Sequence, residues 1–343
     1  MNYPFVSIII TNYNGKRFLK NCLSSVLKQS YPKNKFKIIV VDDASTDDSV
    51  KYVKENFPKV KVLSLKKNVG YAGANNAGYK IAKGRYVILL NNDTIVPKNW
   101  LKPLVETAES DDNVAAVSSM PFYPGRKLIE RYGEKLNYSP VCINRSDPNK
   151  NDPIVLYPSS ESCLVRKKFF DSPFDPGYSI YQEDTYLGWK AWLQGHKVLF
   201  DKNSKFWHIT SPTYGFFTKK QIYFNERNRI TNILLFFKSI TIFLMFPLFL
   251  TDFLVRQIYF IFSLRFDLVA AEFSAIAHNF SNVKTIYKKR KKIQKSRKVN
   301  DYIILEAFCE NTYGEKIFVK RFLNSVFKKY FRFVKKTCKF FSI

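Results

Sequence analysis

The sequence is poor in the residues that build disulfide frameworks and zinc sites. Its 343 residues include five cysteines, none in a CxxC pair, and only three histidines. An odd number of cysteines without metal-ligand spacing argues against both kinds of site, so we expect a reducing compartment. The first residues, MNYPFVSIII, lack the basic region and small-residue cleavage site of a signal peptide. They are instead typical of a first strand.

Acidic residues are also scarce. The chain has 28 Asp and Glu against 56 Lys and Arg, which gives a formal net charge of +28. An excess of this size predicts an anionic partner, namely nucleic acid, an acidic membrane surface or a phosphorylated ligand. No known base-reading motif accompanies the basic residues, and this disfavours nucleic acid.

The first third of the chain alternates short apolar runs with helical patterns, as expected of a parallel sheet covered by helices. Strands are predicted at Phe5–Ile10, Phe36–Val41, Val60–Leu65, Tyr86–Leu90 and Val114–Ser118. Polar residues follow three of them, as TNYNG, as Asp42-Asp43 and as Asn91-Asn92-Asp93. Open α/β sheets bind ligands at this edge, where a lone carboxylate can hold a cation against phosphates. Ordinary turn chemistry, with Pro97 opening a helix, is the alternative.

Further polar clusters come later. Asn68–Gly78 places three glycines and three asparagines in a loop and helix start, where backbone N–H groups can approach phosphates, although tight turns need glycine too. Pro121–Pro158 is predicted to form irregular loops across the open edge of the sheet. Gln182-Glu183-Asp184 opens a predicted helix, Thr185–Leu193, whose dipole alone would explain the acids. A strand and a turn then lead to His208, a candidate metal ligand or a core histidine.

Four motifs in chain order, TNYNG, VVDDASTDDS, LLNNDT and QEDTYLGWKAWLQG, resemble the inverting glycosyltransferases of family 2. The likeness is greater to the rhamnosyltransferase-like branch. The resemblance covers Val6–Thr213. A weaker similarity continues to about Lys238 and includes Arg227-Asn228-Arg229. The resemblance implies the α/β fold called GT-A, a Rossmann-like, mostly parallel sheet flanked by helices. It also implies transfer of a sugar, with inversion, from a nucleotide-diphosphate donor to a glycan or polyprenyl-linked acceptor.

The resemblance further implies roles for individual residues. Asp184, beside Glu183, would be the general base that accepts the proton of the acceptor hydroxyl. A Mg²⁺ or Mn²⁺ ion would be held by Asp93, Asn91 and His208. The amide at Asn91 stands where the family's DxD motif has a carboxylate, which implies a weaker, ligand-assisted metal site. The nucleotide-sugar would be bound by Thr11, Tyr13, Asp42, Asp43, Asn68, Gly73, Asn76 and Asn92.

The chain departs from the family pattern at Tyr186, where the branch often has an acid, at Lys190, where arginine is usual, and at Ser160, where glycine is common. These changes leave the base in place, and they concern sugar and acceptor specificity.

Two other functions stay open. A sugar nucleotidyltransferase would need a Gly-rich, basic loop after the first strand, which TNYNG is not. A non-catalytic membrane scaffold would keep the fold without its acids.

The most apolar stretch is Ser239–Leu264, which is long enough to span a bilayer. Pro247 interrupts it, and Asp252 and Arg256 sit near its middle, where charge is costly. We therefore predict two helices lying in or dipping into the membrane interface. Packing on the catalytic domain or in a homodimer is the alternative.

The rest of the chain is strongly basic. From Arg265 onward there are 19 Lys or Arg against 6 acids, and Ile317–Phe341 interleaves apolar and basic residues at helical spacing. This pattern predicts an amphipathic helix on anionic lipid, or one packing a face on its own domain. We expect a catalytic domain at residues 1–215, apolar helices at 216–275 and a basic region at 276–343. The expected location is the cytoplasmic face of the cell membrane, peripheral or monotopic.

Overall fold

The structure, a computed structural model, describes residues 3–123, 134–136, 142–144, 153–209, 217–308 and 318–343. The chain divides into two compact units. The first comprises Met1–Gly133, Arg145–Ala191 and His196–Ser211, and the second comprises Glu134–Asn144, Trp192–Gly195 and Pro212–Ile343. Thr213, the predicted end of the family resemblance, and parts of the predicted irregular segment lie outside the described residues.

The first unit begins with regular alternation of strand and helix. Its elements are β1 (Val6–Asn12), α1 (Lys16–Leu27), β2 (Phe36–Asp42), α2 (Ser49–Asn56), β3 (Lys61–Ser64), α3 (Gly70–Ile81) and β4 (Tyr86–Asn91). β1 is buried along its whole length, and β4 is buried up to its last residue. Near-continuous burial of this kind is characteristic of parallel strands covered on both faces.

The sheet then becomes mixed. The following elements are β5 (Thr94–Ile95), α4 (Leu101–Glu109), β6 (Val114–Phe122), β7 (Glu134–Leu136), β8 (Cys142–Asn144), β9 (Ser162–Arg166), α5 (Glu183–Leu193) and β10 (Lys197–His208). The strand order is β3-β2-β1-β4-β9-β6-β10-β5, with β9 antiparallel to both its neighbours and β5 antiparallel to β10. β7 pairs with β8 alone.

The structure corrects four local expectations. α3 begins at Gly70, so Asn68–Gly78 is mostly helix and not loop. α4 begins at Leu101, because Pro97 instead accepts a turn hydrogen bond from the backbone N–H of Trp100. The last strand runs on to His208, with an irregular register in place of the expected turn. The insertion of β9 between β4 and β6 was not predicted.

The second unit is helical apart from the paired strands β7 and β8. Its helices are α6 (Lys219–Phe236), α7 (Ser239–Phe262), α8 (Phe266–Ser281), α9 (Val283–Lys295), α10 (Asp301–Glu306) and α11 (Phe318–Phe340). The prediction of two helices within Ser239–Leu264 was wrong, because α7 continues through Pro247. The carbonyl of Pro247 accepts a hydrogen bond from Thr251 Oγ1 at 2.7 Å. Among the described residues, α7 is the one helix long and apolar enough to cross a membrane.

The basic helix α11 buries one face in its own unit. Phe331, Val334 and Cys338 are fully buried at helical spacing. The hydroxyl of Tyr330 donates a hydrogen bond to the carbonyl of Leu244 at 3.0 Å. This is the packing that the sequence left open as the alternative to lipid contact. Ile317 and the side chains of Phe318 and Phe322 lie outside the described part of the helix.

Candidate active site

The candidate site lies where the strand order reverses. β2 and β3 lie on one side of β1, and β4 lies on the other, so the chain leaves β1 and β4 in opposite directions. Ligands of open α/β sheets bind at such a switch point, outside the carboxyl ends of the strands. Asn12 ends β1, and its Oδ1 accepts a hydrogen bond from Nδ2 of Asn92, just beyond β4, at 2.8 Å.

This edge is built around a buried carboxylate, Asp42. Its Oδ1 accepts a hydrogen bond from Asn12 Nδ2 at 3.1 Å, and its Oδ2 accepts one from the backbone N–H of Ser45 at 3.0 Å. Gly15 is required beside it, since a Cβ there would lie 2.1 Å from Asn92 Nδ2. Asn12 and Gly15 of the TNYNG motif are therefore packed closely against polar side chains from neighbouring strand ends.

The remaining TNYNG residues differ in exposure. Thr11 is buried, whereas Tyr13 is 52% exposed. Asn14, which adopts a left-handed backbone, accepts a hydrogen bond from the N–H of Thr46 at 2.7 Å through Oδ1. This bond joins the loops after β1 and β2, so the exposed ring of Tyr13 stands on a fixed backbone.

Three residues predicted to contact the donor already make close contacts within the protein. The Asp43 carboxylate accepts hydrogen bonds from the N–H groups of Val69 and Gly70, at 2.8 and 2.9 Å, and burial raises its pKa above the usual value. The Asn76 side chain both donates to and accepts from the backbone of Phe174. A Cβ at Gly73 would meet the Val69 side chain. Asp43 and Asn76 therefore already bind backbone groups, and donor contact by Asp43, Gly73 and Asn76 stays a prediction. Asn68 Oδ1 accepts from Gly70 N at 3.1 Å, beside the same helix start.

The pairing of β5 with β10 brings an acid and a histidine together. His208 is aligned with Thr94, and the backbone N–H of Ile209 donates to the Asp93 carbonyl at 2.8 Å. His208 Nε2 consequently lies 3.4 Å from Asp93 Oδ1, and both residues are only 8% exposed. Asp93 Oδ1 and Asn91 Oδ1 are buried and accept no hydrogen bond from the described residues. Leaving such oxygens unsatisfied is costly, and a bound cation would satisfy them.

These residues fit a metal that is completed by its ligand. Within the described ranges, no group of three or more His, Cys, Asp or Glu side chains is arranged to hold an ion by itself. Mg²⁺ is commonly bound by one or two carboxylates together with the phosphates of a substrate. Asp93 and His208, with the amide oxygen of Asn91 nearby in sequence, suit that type of site.

Sequence reasoning missed Glu161. Its Oε1 lies 3.6 Å from Nδ1 of His208, and its Oε2 accepts a hydrogen bond from Ser159 Oγ at 3.2 Å. The backbone of Glu161 accepts from the N–H of Asn91 at 3.0 Å, because β9 runs antiparallel to β4. The available signal was an acid directly before an apolar strand, and its meaning depended on that unpredicted pairing.

The two acids at the start of α5 differ in environment. Glu183 is buried, and Ser160 Oγ donates to its Oε1 at 3.4 Å. Burial, reinforced by the charge of Glu161, raises the pKa of Glu183 to about 7. Asp184 is half-buried, and its Oδ1 accepts from the N–H of Thr185 at 2.7 Å.

The backbone leading into this helix is strained. Tyr181 and Gln182 have φ values of 66° and 65°, a region that residues other than glycine seldom occupy. Such strain costs on the order of 1–3 kcal/mol per residue and clusters at functional sites. The chain therefore holds Glu183 and Asp184 in a conformation that local preference does not favour.

The departures from the family pattern have structural partners. Ser160 contacts Glu183, and its carbonyl accepts from the Tyr71 hydroxyl at 2.7 Å. Tyr186 is buried, and the Lys190 ammonium lies 5.9 Å from the centre of its ring. These positions therefore take part in packing behind the acids of α5.

A mixed α/β sheet with flanking helices, and an acid and a histidine beside its switch point, defines the first unit as a GT-A fold. Residues 7–173 match the sequence model of the family described as glycosyl transferase family 2. This part of the chain matches that family, as the first three of the four motifs predicted, and the fourth motif, at residues 182–195, lies beyond it. The rhamnosyltransferase-like branch stays a prediction.

Relatives agree with this assignment. An uncharacterized glycosyltransferase of Haemophilus influenzae is 30% identical over 219 residues, which are 61% of each chain. The poly-beta-1,6-N-acetyl-D-glucosamine synthase of Staphylococcus aureus is 27% identical over 225 residues, 63% of this chain and 53% of its own. The chain thus spans between half and two thirds of the length of these curated relatives.

The fold extends to distant solved structures. A mannosyltransferase from Pyrobaculum calidifontis, solved in complex with GDP-Man and Mn²⁺, aligns with a TM-score of 0.51 at 13% identity. The alignment covers 98% of this chain and 87% of the other. At this identity the likeness concerns the fold alone.

Proposed function

We propose that the protein is an inverting glycosyltransferase that moves a sugar from a nucleoside-diphosphate donor to a hydroxyl of a glycan or polyprenyl-linked acceptor. The observation that carries this proposal is the meeting of Asp93 and His208 beside the switch point, with a buried carboxylate oxygen that accepts no hydrogen bond from the described residues. The family match and a polysaccharide synthase among the relatives support it.

The donor's nucleoside is assigned to the carboxyl ends of β1 and β2. The Asp42 carboxylate accepts hydrogen bonds from Asn12 Nδ2 and from the N–H of Ser45. Because a carboxylate has about four acceptor sites, Asp42 can also accept hydrogen bonds from a base or ribose. The exposed Tyr13 ring offers a face for the base, and Thr11, Asn68 and Asn92 are the polar residues left to complete the pocket. Binding in this way would direct the diphosphate toward Asp93.

A divalent cation, Mg²⁺ or Mn²⁺, would be held by Asp93 and His208, with the amide oxygen of Asn91 as the third ligand. When bound, such an ion supplies positive charge at the departing diphosphate. Glu161 Oε1 lies 3.6 Å from Nδ1 of His208, where its charge would help to orient the ring, as carboxylates commonly do for metal-binding histidines. The solved mannosyltransferase that shares this fold contains Mn²⁺.

Proton transfer is assigned to Asp184. It is the more exposed acid of the pair, so an acceptor hydroxyl can reach it, whereas Glu183 is enclosed. Asp184 accepts the hydroxyl proton while the oxygen bonds to the anomeric carbon and the bond from that carbon to the diphosphate breaks. A single displacement of this kind inverts the anomeric configuration.

The domain division and location remain part of the proposal. We assign catalysis to residues 1–215, and membrane association to the apolar helices at 216–275 and the basic region at 276–343. The location is the cytoplasmic face of the cell membrane, as a peripheral or monotopic protein. The net charge of +28, the apolar α7 and a relative that synthesises a polysaccharide support it.

A donor screen tests the proposal. The full chain in detergent is given common nucleotide sugars with Mn²⁺ or Mg²⁺, alongside Asp93→Ala and Asp184→Asn variants. We expect metal-dependent turnover of one donor, its loss in Asp93→Ala, and donor binding without acceptor glycosylation in Asp184→Asn. Failure to bind any donor would favour the scaffold. Release of pyrophosphate from a nucleoside triphosphate and a sugar phosphate would favour the nucleotidyltransferase.

A further inference from the structure

A helix in a water-soluble bundle buries its apolar face, whereas α7 exposes large apolar residues. Its outward side carries large apolar residues at helical spacing along its whole length. They are 43–85% exposed, and they are Phe243, Phe246, Leu250, Leu254, Ile258, Ile261 and Phe262. Soluble proteins seldom expose a continuous apolar strip of this size, and such strips mark sites of association.

The charges of α7 point the other way, into the second unit. Arg256 forms ion pairs with Glu272 at 2.7 Å, with Glu226 at 3.2 Å and with Asp252. Arg229 pairs with Glu226 at 2.6 Å. We call these five residues the ion cluster. It ties α7 to α6 and α8, and it leaves the outward face of α7 without charge.

The ion cluster argues against a membrane-spanning α7. A spanning helix would place Asp252 and Arg256 near the bilayer centre. Their partners would have to accompany them, because separating a buried ion pair leaves a charge uncompensated. α6 carries Glu226 and Arg229, and it begins with Lys219-Lys220, so it is unsuited to the hydrocarbon core. A helix lying flat keeps every one of these charges on the protein side.

The surroundings of α7 favour an anionic bilayer as the surface it meets. Arg290 of α9 donates hydrogen bonds to the carbonyl of Phe237 at 2.6 Å and to Ser239 Oγ at 3.3 Å, which places α9 at the start of α7. α9 also exposes five lysines, Lys284, Lys288, Lys291, Lys292 and Lys295. Basic residues beside an apolar interfacial helix are attracted to acidic headgroups.

We propose that the outward face of α7, from Phe243 to Phe262, is a monotopic membrane-docking surface, with the helix parallel to an anionic bilayer. This proposal defines the membrane contact of the location proposed above. It does not depend on transferase activity, because vesicle binding needs no substrate. Failure of the donor screen and failure of docking are therefore separate results.

Flotation measures the docking. The full chain is mixed with phosphatidylcholine vesicles with and without phosphatidylglycerol, and Phe243→Ser/Phe246→Ser is compared with Phe333→Ser/Phe340→Ser on α11, whose phenylalanines are also exposed. We expect the α7 pair to weaken binding by at least about tenfold, since two exposed aromatic rings are lost from the interface, and to weaken it more than the α11 pair does. Circular dichroism melts check that both variants fold.

Topology is measured with trypsin on sealed inside-out and right-side-out membrane vesicles from an expressing bacterium. A flat α7 predicts that sites before residue 239 and after residue 264 are cut in the same vesicles. Cleavage of the two segments in opposite vesicles would overturn the proposal. So would a larger flotation loss in the α11 pair, or concentration-dependent dimers that bind no lipid and dissociate in the α7 pair.

Discussion

Buried charges behave differently in the two units. In the first unit, Asp93 Oδ1 lies 3.4 Å from a histidine and accepts no hydrogen bond from the described residues. In the second, Arg256 is paired with three carboxylates from three helices. A buried charge that the fold satisfies holds elements together, whereas one that the fold leaves unsatisfied is retained for a ligand. The substitutions below test this difference.

The largest expected effect is on catalysis, from Asp93→Ala. Removing the carboxylate should lower donor turnover by about three to four orders of magnitude, because charge at the departing diphosphate is no longer neutralised. The melting temperature should stay the same or rise, since an unsatisfied buried charge is removed. Asp93→Asn is the matched control for volume. A large fall in stability in either variant would mean that Asp93 is structural.

Arg256→Met should have the opposite profile. Loss of the guanidinium leaves buried carboxylates unpaired and should lower the free energy of unfolding by about 3–5 kcal/mol, measured by urea titration. The matched control is Arg265→Ala, which removes an exposed arginine paired with Asp267 and should leave unfolding unchanged. Equal effects of the two substitutions would remove the distinction between the ion cluster and a surface pair.

Glu183 links the active site to pH. Its pKa is raised from 4.5 to about 7 by burial, so the folded protein binds a proton that the unfolded chain has released. Stability from this group is therefore fully present below pH 4.5 and is lost as pH rises to about 7, by on the order of 3 kcal/mol. Glu183→Gln should flatten the curve of unfolding free energy against pH in this window. An unchanged slope would contradict the assignment.

Much of the fold could be predicted from periodicity. The buried strands and the polar residues that end them are local patterns, and the carboxyl ends of parallel strands meet at one edge wherever the strands pair in order. This is why the polar residues after β1, β2 and β4 were expected at one edge of the sheet. The antiparallel β9 could not be predicted, because its place between β4 and β6 depends on contacts distant in sequence.

The orientation of α7 was equally inaccessible. Asp252 and Arg256 were interpreted as obstacles to a membrane-spanning segment, and the sequence does not show that α6 and α8 supply partners for Arg256. The family resemblance implied that Asp43 and Asn76 touch the donor. The structure uses them to bind backbone groups of Gly70 and Phe174, a role that residue type does not distinguish from ligand binding.

The smallest effect tests the residue that sequence reasoning missed. Glu161→Ala should weaken Mn²⁺ binding by about 10–100-fold, as loss of a carboxylate behind a metal-binding histidine typically does. Calorimetric titration of Mn²⁺ in the presence of nucleoside diphosphate measures this without turnover. Glu161→Gln should recover part of the affinity, since an amide oxygen still places a polar atom near Nδ1 of His208. If Ala and Gln both bind Mn²⁺ like the wild type, Glu161 serves the fold, and Asp93 with His208 acts without its support.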